Sequence, residues 1–97
     1  MRYLVDIDGT ICTQQSSGEY ANAKPYTHRI KQINDLYDAG NEIIYWTARG
    51  MNTGVDYTEL TQQQLQLWNC KHHALWMKKP AYDVWIDDKA QWIFVDE

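Results

Sequence analysis

Four short apolar runs in this chain each end on polar or charged residues, and that alternation narrows the folds open to it. Tyr3-Leu4-Val5-Asp6-Ile7 leads into Asp8 and Gly9, and Glu42-Ile43-Ile44-Tyr45-Trp46 leads into Thr47. His73-Ala74-Leu75-Trp76-Met77 leads into Lys78 and Lys79, and the run from Tyr82 to Ile86 leads into Asp87 and Asp88. Helical patterns separate the first three runs. Thr27 reads as an N-cap, Ile30, Ile33, Leu36 and Tyr37 share one face, and Gly40 stops the helix. Asp56 or Thr58 opens a second helix that runs to about Asn69, with Tyr57, Leu60, Leu65, Leu67 and Trp68 in one apolar arc. Residues 13–24 are polar and aperiodic, a surface loop that reads as a small flap. Trp92 to Val95 is an edge strand or a packed tail.

The order β-α-β-α-β-β predicts an α/β fold: a small Rossmann-like, three-layer α/β/α arrangement with a parallel sheet and one domain over residues 1–97. Right-handed crossovers bring the C-terminal ends of the strands to one edge, where ligands of such sheets bind. Asp6/Asp8, Thr47, Lys78/Lys79 and Asp87/Asp88 are therefore expected together.

Composition narrows the partners. Nine Lys+Arg against thirteen Asp+Glu leave a net charge of −4, which argues against a general nucleic-acid binder. With 44% hydrophobic residues the chain can build a core, yet no run is long enough to span a membrane. Cys12 and Cys70 form no metal-binding pattern, so a reducing, cytoplasmic setting is expected. Five Trp on so short a chain point to exposed aromatic surface and a homo-oligomer.

Asp6 and Asp8, two apart in extended chain, point to the same side, while Ile7 points into the core. Gly9 permits a sharp turn. Asp87 on a strand of the same sheet would stand within a few ångströms of this pair, and carboxylates so close need a proton or a cation between them. Hard oxygen donors with room for water suit Mg²⁺. Calcium in an EF-hand is disfavoured, because the third acidic position and the terminal Glu are missing. The Thr47 hydroxyl and the backbone N–H groups after it, beginning with Ala48, can hold an anionic oxygen, although a Thr there also caps turns. Lys79, restrained by Pro80, is the better of the two lysines for an anion clamp. Arg49 and, on the flap, Lys24, Glu19 and Tyr20 are candidates for contact with the rest of a substrate. Together these parts suit phosphoryl transfer: a carboxylate nucleophile, and a second carboxylate whose pKa is raised by its acidic neighbours so that it protonates the leaving group.

At these residues the sequence resembles the haloacid dehalogenase-like (HAD) hydrolases. Asp6-Ile7-Asp8-Gly9-Thr10, Thr47 in Tyr-Trp-Thr-Ala-Arg, Lys79 in Lys-Lys-Pro and Asp87-Asp88 match that family's four motifs in order. The stretches Asp-Gly-Thr-Ile-Cys, Asn-Ala-Lys-Pro and Ile-Asp-Asp-Lys-Ala look like its short polysaccharide- or capsule-biosynthesis phosphatases. The resemblance implies a Mg²⁺-dependent phosphatase acting on a small phosphorylated substrate, a sugar phosphate or cell-surface polysaccharide precursor. It makes Asp6 the nucleophile and a metal ligand. Asp8 becomes the acid/base and a ligand through its carbonyl, Thr47, Ala48 and Lys79 hold the phosphoryl group, and Asp87 completes the metal site. Asp88 ligates through water or orients Lys79. The chain departs from the family in having no insertion long enough for a cap domain and only residues 80–86 between Lys79 and Asp87. Two other readings compete: a non-catalytic metal- or phosphate-binding domain, and a phospho-acceptor receiver. The receiver is disfavoured because Asp35 and Asp38, the acids between the first motif and Thr47, fall on a helix.

Overall fold

The computed structural model describes residues 1–95. Strand β1 (Arg2–Asp6) is followed by a single 3-10 turn at Tyr20–Asn22, helix α1 (Thr27–Asp38), strand β2 (Glu42–Trp46), helix α2 (Thr58–Leu67) and strand β3 (Ala74–Trp76). The strands form one parallel sheet in the order β1-β2-β3, with Val5 opposite Tyr45, Asp6 opposite Trp46, and Trp46 opposite Trp76. This is the expected α/β class with a parallel sheet.

Two crossovers of the same hand, both stepping in one direction, put both helices on one face. The core is built there. Val5, Ile43 and Tyr45 alternate toward Ile30 and Ile33 of α1 and Leu65 of α2, and Ile7, Ile11 and Phe94 close the cluster. Leu4, Ile44 and Trp46 point the other way. That face meets the irregular C-terminal segment, where Trp85 stands edge-on to Trp46 at 5.5 Å. The third layer is therefore this segment.

Local chemistry explains the helix ends. Gly40, at φ +95°, donates to the Tyr37 carbonyl, and Asn41 donates to Leu36, a left-handed stop that favours glycine. Thr27 makes no capping bond; α1 begins after Tyr26, whose carbonyl accepts the Arg29 and Ile30 N–H groups. Asp56, just before the N-cap position Tyr57, accepts the first N–H of α2, that of Thr58, at 2.9 Å, and hydrogen bonding from the Thr58 side chain and then from this N–H holds its carboxyl below the usual range. The apolar arc of α2 is narrower than expected. Leu67 is 77% exposed, while Thr61 and Gln64 are buried beside Leu65.

The fourth strand does not form. Tyr82–Ile86 is irregular and exposed, with Ile86 at 94%. A parallel neighbour needs a crossover of about a dozen residues or more, and only residues 77–81 separate β3 from this segment. The chain instead runs past the unpaired edge of β1, leaving a groove of about 610 Å³ lined in part by Asp6, Lys79, Tyr82 and Asp87. Trp92–Val95 is the packed tail of the two alternatives: Phe94 enters the core and the Ile93 carbonyl accepts from Gln32.

Candidate active site

The ends of β1 and β2 and the segment after β3 meet at one edge. The Thr47 N–H donates to Trp76 and the Lys79 N–H to Thr47, so the main chain ties the second and third stations together. Beyond β1, Gly9 turns at φ +81° and donates to Cys12, while Arg29 of α1 donates to the Thr10 carbonyl at 3.2 Å. Ile7 is fully buried, so Asp6 and Asp8 straddle a core anchor and face the edge.

Asp6 is the open member of the pair, its side chain 34% exposed. It accepts Lys79 Nζ at 3.0 Å on Oδ1 and the Thr10 hydroxyl at 3.1 Å on Oδ2. The Lys79 side chain is buried, with Nζ 5.3 Å from the Trp46 ring and 5.2 Å from the Tyr82 ring. Burial pulls the Lys79 ammonium down, but the hydrogen bond and charge of Asp6, aided by Tyr82, outweigh it and hold the group above the usual lysine value. Of the two adjacent lysines, Lys79 reaches Asp6; Lys78 is exposed and lines a separate cavity with Trp46, Leu75, Trp76 and Met77.

Asp8 is held differently. Arg49 Nε donates to its Oδ2 at 2.9 Å and Nη2 to its Oδ1 at 2.8 Å, a two-point fork. The Arg49 side chain is fully buried. Its Nη1 donates to the Thr61 hydroxyl at 3.1 Å and to Gln64 Oε1, and the Tyr20 ring lies 4.8 Å from the guanidinium carbon. This corrects two expectations. The neighbour of Asp8 is a guanidinium and not another carboxylate, and Arg49 is occupied inside the protein, unable to meet a substrate. The burial of Thr61 and Gln64 on the inner face of α2 has the same cause: a buried guanidinium needs acceptors. Polar residues three apart among the helix's core positions were the signal in the sequence.

The Thr47 hydroxyl accepts the Arg49 N–H at 3.1 Å, the turn-capping role open to it, and Thr47 is buried. Ala48 is half-buried in the same turn, its carbonyl accepting from Met51. Gly50 is required here: at φ +84°, a Cβ would stand 2.0 Å from the Val55 carbonyl oxygen. Thr10, which entered the sequence reading only as the last residue of the first motif, donates its hydroxyl to Asp6, and Tyr20, a flap candidate for substrate contact, instead lies against Arg49.

Asp87 lines the same groove as Asp6 but is exposed, accepting the Lys89 N–H at 3.0 Å and Trp85 Nε1 at 3.1 Å. Bonds from Lys89 and Trp85 lower its pKa, and a bond with exposed Asp88 adds to them. Among the described residues no three His, Cys, Asp or Glu side chains converge as a metal centre. The donors that Asp6, Asp8 and Asp87 would offer are chemically right for Mg²⁺, but this arrangement does not fit it: Lys79 and Arg49 supply the positive charge, and Asp87 is carried on a segment that fails to pair with β1. Lys24 is exposed at the base of the 13–24 loop, where its backbone closes the loop against Thr13. The loop lies against α2, since the Tyr20 carbonyl accepts Gln64 Nε2 at 2.7 Å.

Fold and site together define a small parallel α/β protein with a carboxylate–ammonium pair at its strand-end edge. Among solved structures, a crystal structure of a structural-genomics target from Vibrio cholerae is similar, with a TM-score of 0.83 and 26% identity over 93% of this chain and 81% of that one. No protein-family model matches the chain, and no curated protein does. No helix among the described residues is long and apolar enough to cross a membrane.

Proposed function

We propose that this protein hydrolyses small phosphomonoesters through an aspartyl-phosphate on Asp6, in the manner of the HAD phosphatases its motifs resemble. The observation that carries the reading is the Asp6–Lys79 pair: a partly open carboxylate 3.0 Å from a buried ammonium, at the edge of a groove. In this reading an Asp6 oxygen attacks phosphorus as the bond to the leaving oxygen breaks. Lys79 shifts its donor from Asp6 to the phosphoryl oxygens, where charge develops. Asp8, in its acid form, gives a proton to the leaving oxygen. As a carboxylate it then takes a proton from the water that attacks phosphorus and releases Asp6 and phosphate. Thr47 and Ala48 close the phosphoryl end of the site.

The motifs also call for Mg²⁺. No step is derived through it, because the acids are not gathered to receive it. Sugar phosphates or cell-surface polysaccharide precursors in a cytoplasmic setting are the favoured substrates, and a second copy of the chain is the favoured partner. Both choices rest on motif and composition.

One observation favours a second reading, a phosphate-binding domain without turnover: both acids of the first motif are already neutralised by internal cations. The receiver reading gains nothing, since Asp35 and Asp38 pair on the surface of α1 with Lys31 and Lys71. Phosphate release from p-nitrophenyl phosphate and a panel of sugar phosphates, with and without Mg²⁺, decides between the first two. Activity that vanishes in Asp6→Asn while the fold persists supports the phosphatase; an inert wild type across the panel supports the binding domain.

A further inference from the structure

The ion pair that the site's chemistry does not account for is the internal one. Arg49 has a side chain with no exposure, and each of its three guanidinium nitrogens is committed: Nε and Nη2 to Asp8, Nη1 to Thr61 and Gln64. The Tyr20 ring lies over it and Gln64 reaches on to the Tyr20 carbonyl, so the guanidinium sits in a cage made by α2, the 13–24 loop and Asp8. Nothing in that cage is left for a ligand. A buried fork of this kind is also a poor device for stability alone, because desolvating both ions offsets most of their attraction and apolar side chains of similar volume do as well. Its direct effect is geometric. The fork fixes the plane and the position of the Asp8 carboxylate, whose side chain keeps 11% exposure beside the Asp6 edge.

Resting on the phosphatase reading, we propose that Arg49 is the positioning residue for proton transfer, and that Gln64 holds Arg49 in that task. The paired form seen here is the carboxylate form of Asp8, since both oxygens accept. When Asp8 carries its proton, one oxygen must leave the fork to point that proton at the leaving oxygen, while the other stays on Arg49 and keeps the group in place. After the proton has passed to the leaving group, the carboxylate closes back onto the fork, ready to take a proton from water. Arg49 therefore acts only through Asp8. Its loss is felt in proportion to how much the leaving group needs a proton. The turn supports this placement: Thr47 accepts the Arg49 N–H, so the strand end that carries the phosphoryl-binding residues also sets where the guanidinium starts.

The test uses two leaving groups. An alkyl phosphate such as glycerol phosphate must be protonated as it leaves; p-nitrophenyl phosphate leaves readily as its anion. The comparison is made in kcat/KM, which reports only the steps up to transfer onto Asp6. Arg49→Lys keeps the charge and loses the fork, and Gln64→Met keeps Arg49 while removing the acceptor behind it. For either variant kcat/KM for the alkyl phosphate falls by roughly 100-fold, the scale of a misplaced catalytic group. That for p-nitrophenyl phosphate changes by less than about threefold. A p-nitrophenol burst also appears, because release of phosphate from Asp6 still needs Asp8. Equal losses on both substrates, or no loss on either, overturn the proposal. Should Arg49→Lys fail to fold by circular dichroism, Gln64→Met carries the same comparison. A wild type inert toward both esters refutes the phosphatase reading and this inference with it, an outcome distinct from an active wild type whose variants do not discriminate.

Discussion

Replacing Lys79 with methionine separates the site's chemistry from the fold's stability. The ammonium lies 3.0 Å from Asp6 and 5.3 and 5.2 Å from the centres of the Trp46 and Tyr82 rings. Methionine is unbranched and nearly as long as the lysine stem, so little packing is lost. Asp6 loses its partner but is a third exposed and can be hydrated in place. The net change in stability should stay within about 1 kcal/mol, or a melting shift of no more than ~8 °C for a domain of this size. The effect on catalysis is larger. Lys79 is the donor aimed at the place where phosphoryl charge develops, and losing one such donor costs about 100- to 1,000-fold in kcat. Lys78→Met is the matched control: it lies in a separate cavity and should leave kcat within about twofold of wild type, well below the cost of a catalytic donor. Steady-state phosphate release and thermal melts on the three proteins make the measurement. If Lys79→Met keeps more than about a tenth of the activity, or Lys78→Met is the more damaging change, the clamp assigned to Lys79 is wrong.

Tyr45 carries a fully buried hydroxyl whose one polar neighbour among the described residues is the weakly bonding Cys70 thiol, beyond ordinary hydrogen-bond distance, so Tyr45→Phe should leave stability unchanged or raise it by about 1 kcal/mol in a denaturant titration. A loss of that size would mean the hydroxyl is satisfied. Gly50→Ala forces a methyl against the Val55 carbonyl and a side chain into positive φ, costing at least ~1–2 kcal/mol. The same change should lower activity by disturbing the turn that carries Arg49, and an alanine variant as stable and active as wild type would contradict the geometry. Burial pushes both thiols up to about 12, with the charge of Asp8 adding to the effect at Cys12. An unfolded chain ionises them near 9.0. Their contribution is complete below that value and is lost as pH rises toward the folded one. Melting temperature should therefore decline through the alkaline range, and thiol reagents should label Cys12 and Cys70 only after unfolding. A flat melting profile there, or fast labelling of the native protein, would refute this.

The sequence by itself determined the local periods and the stations they carry. Strand β2 was legible to the residue, because a run of Ile-Ile-Tyr-Trp before a threonine has no other use in so short a chain. The two helices were legible from apolar spacing and from Gly40, and Asp6, Thr47 and Lys79 from their positions just past apolar runs. These features depend on a handful of neighbouring residues, and local rules govern them. Pairings between distant residues were decided only in the tertiary structure. Tyr82–Ile86 has the composition of a strand, yet five residues cannot carry the chain from β3 back to a parallel place beside β1, so Asp87 ends on an exposed segment. Arg49 looked like a substrate contact because it follows Thr47. It became an internal anchor because α2 and the Tyr20 turn enclose it and Asp8 neutralises it. Burial of a charge depends on which distant groups arrive around it, and neither spacing nor composition specifies that arrival.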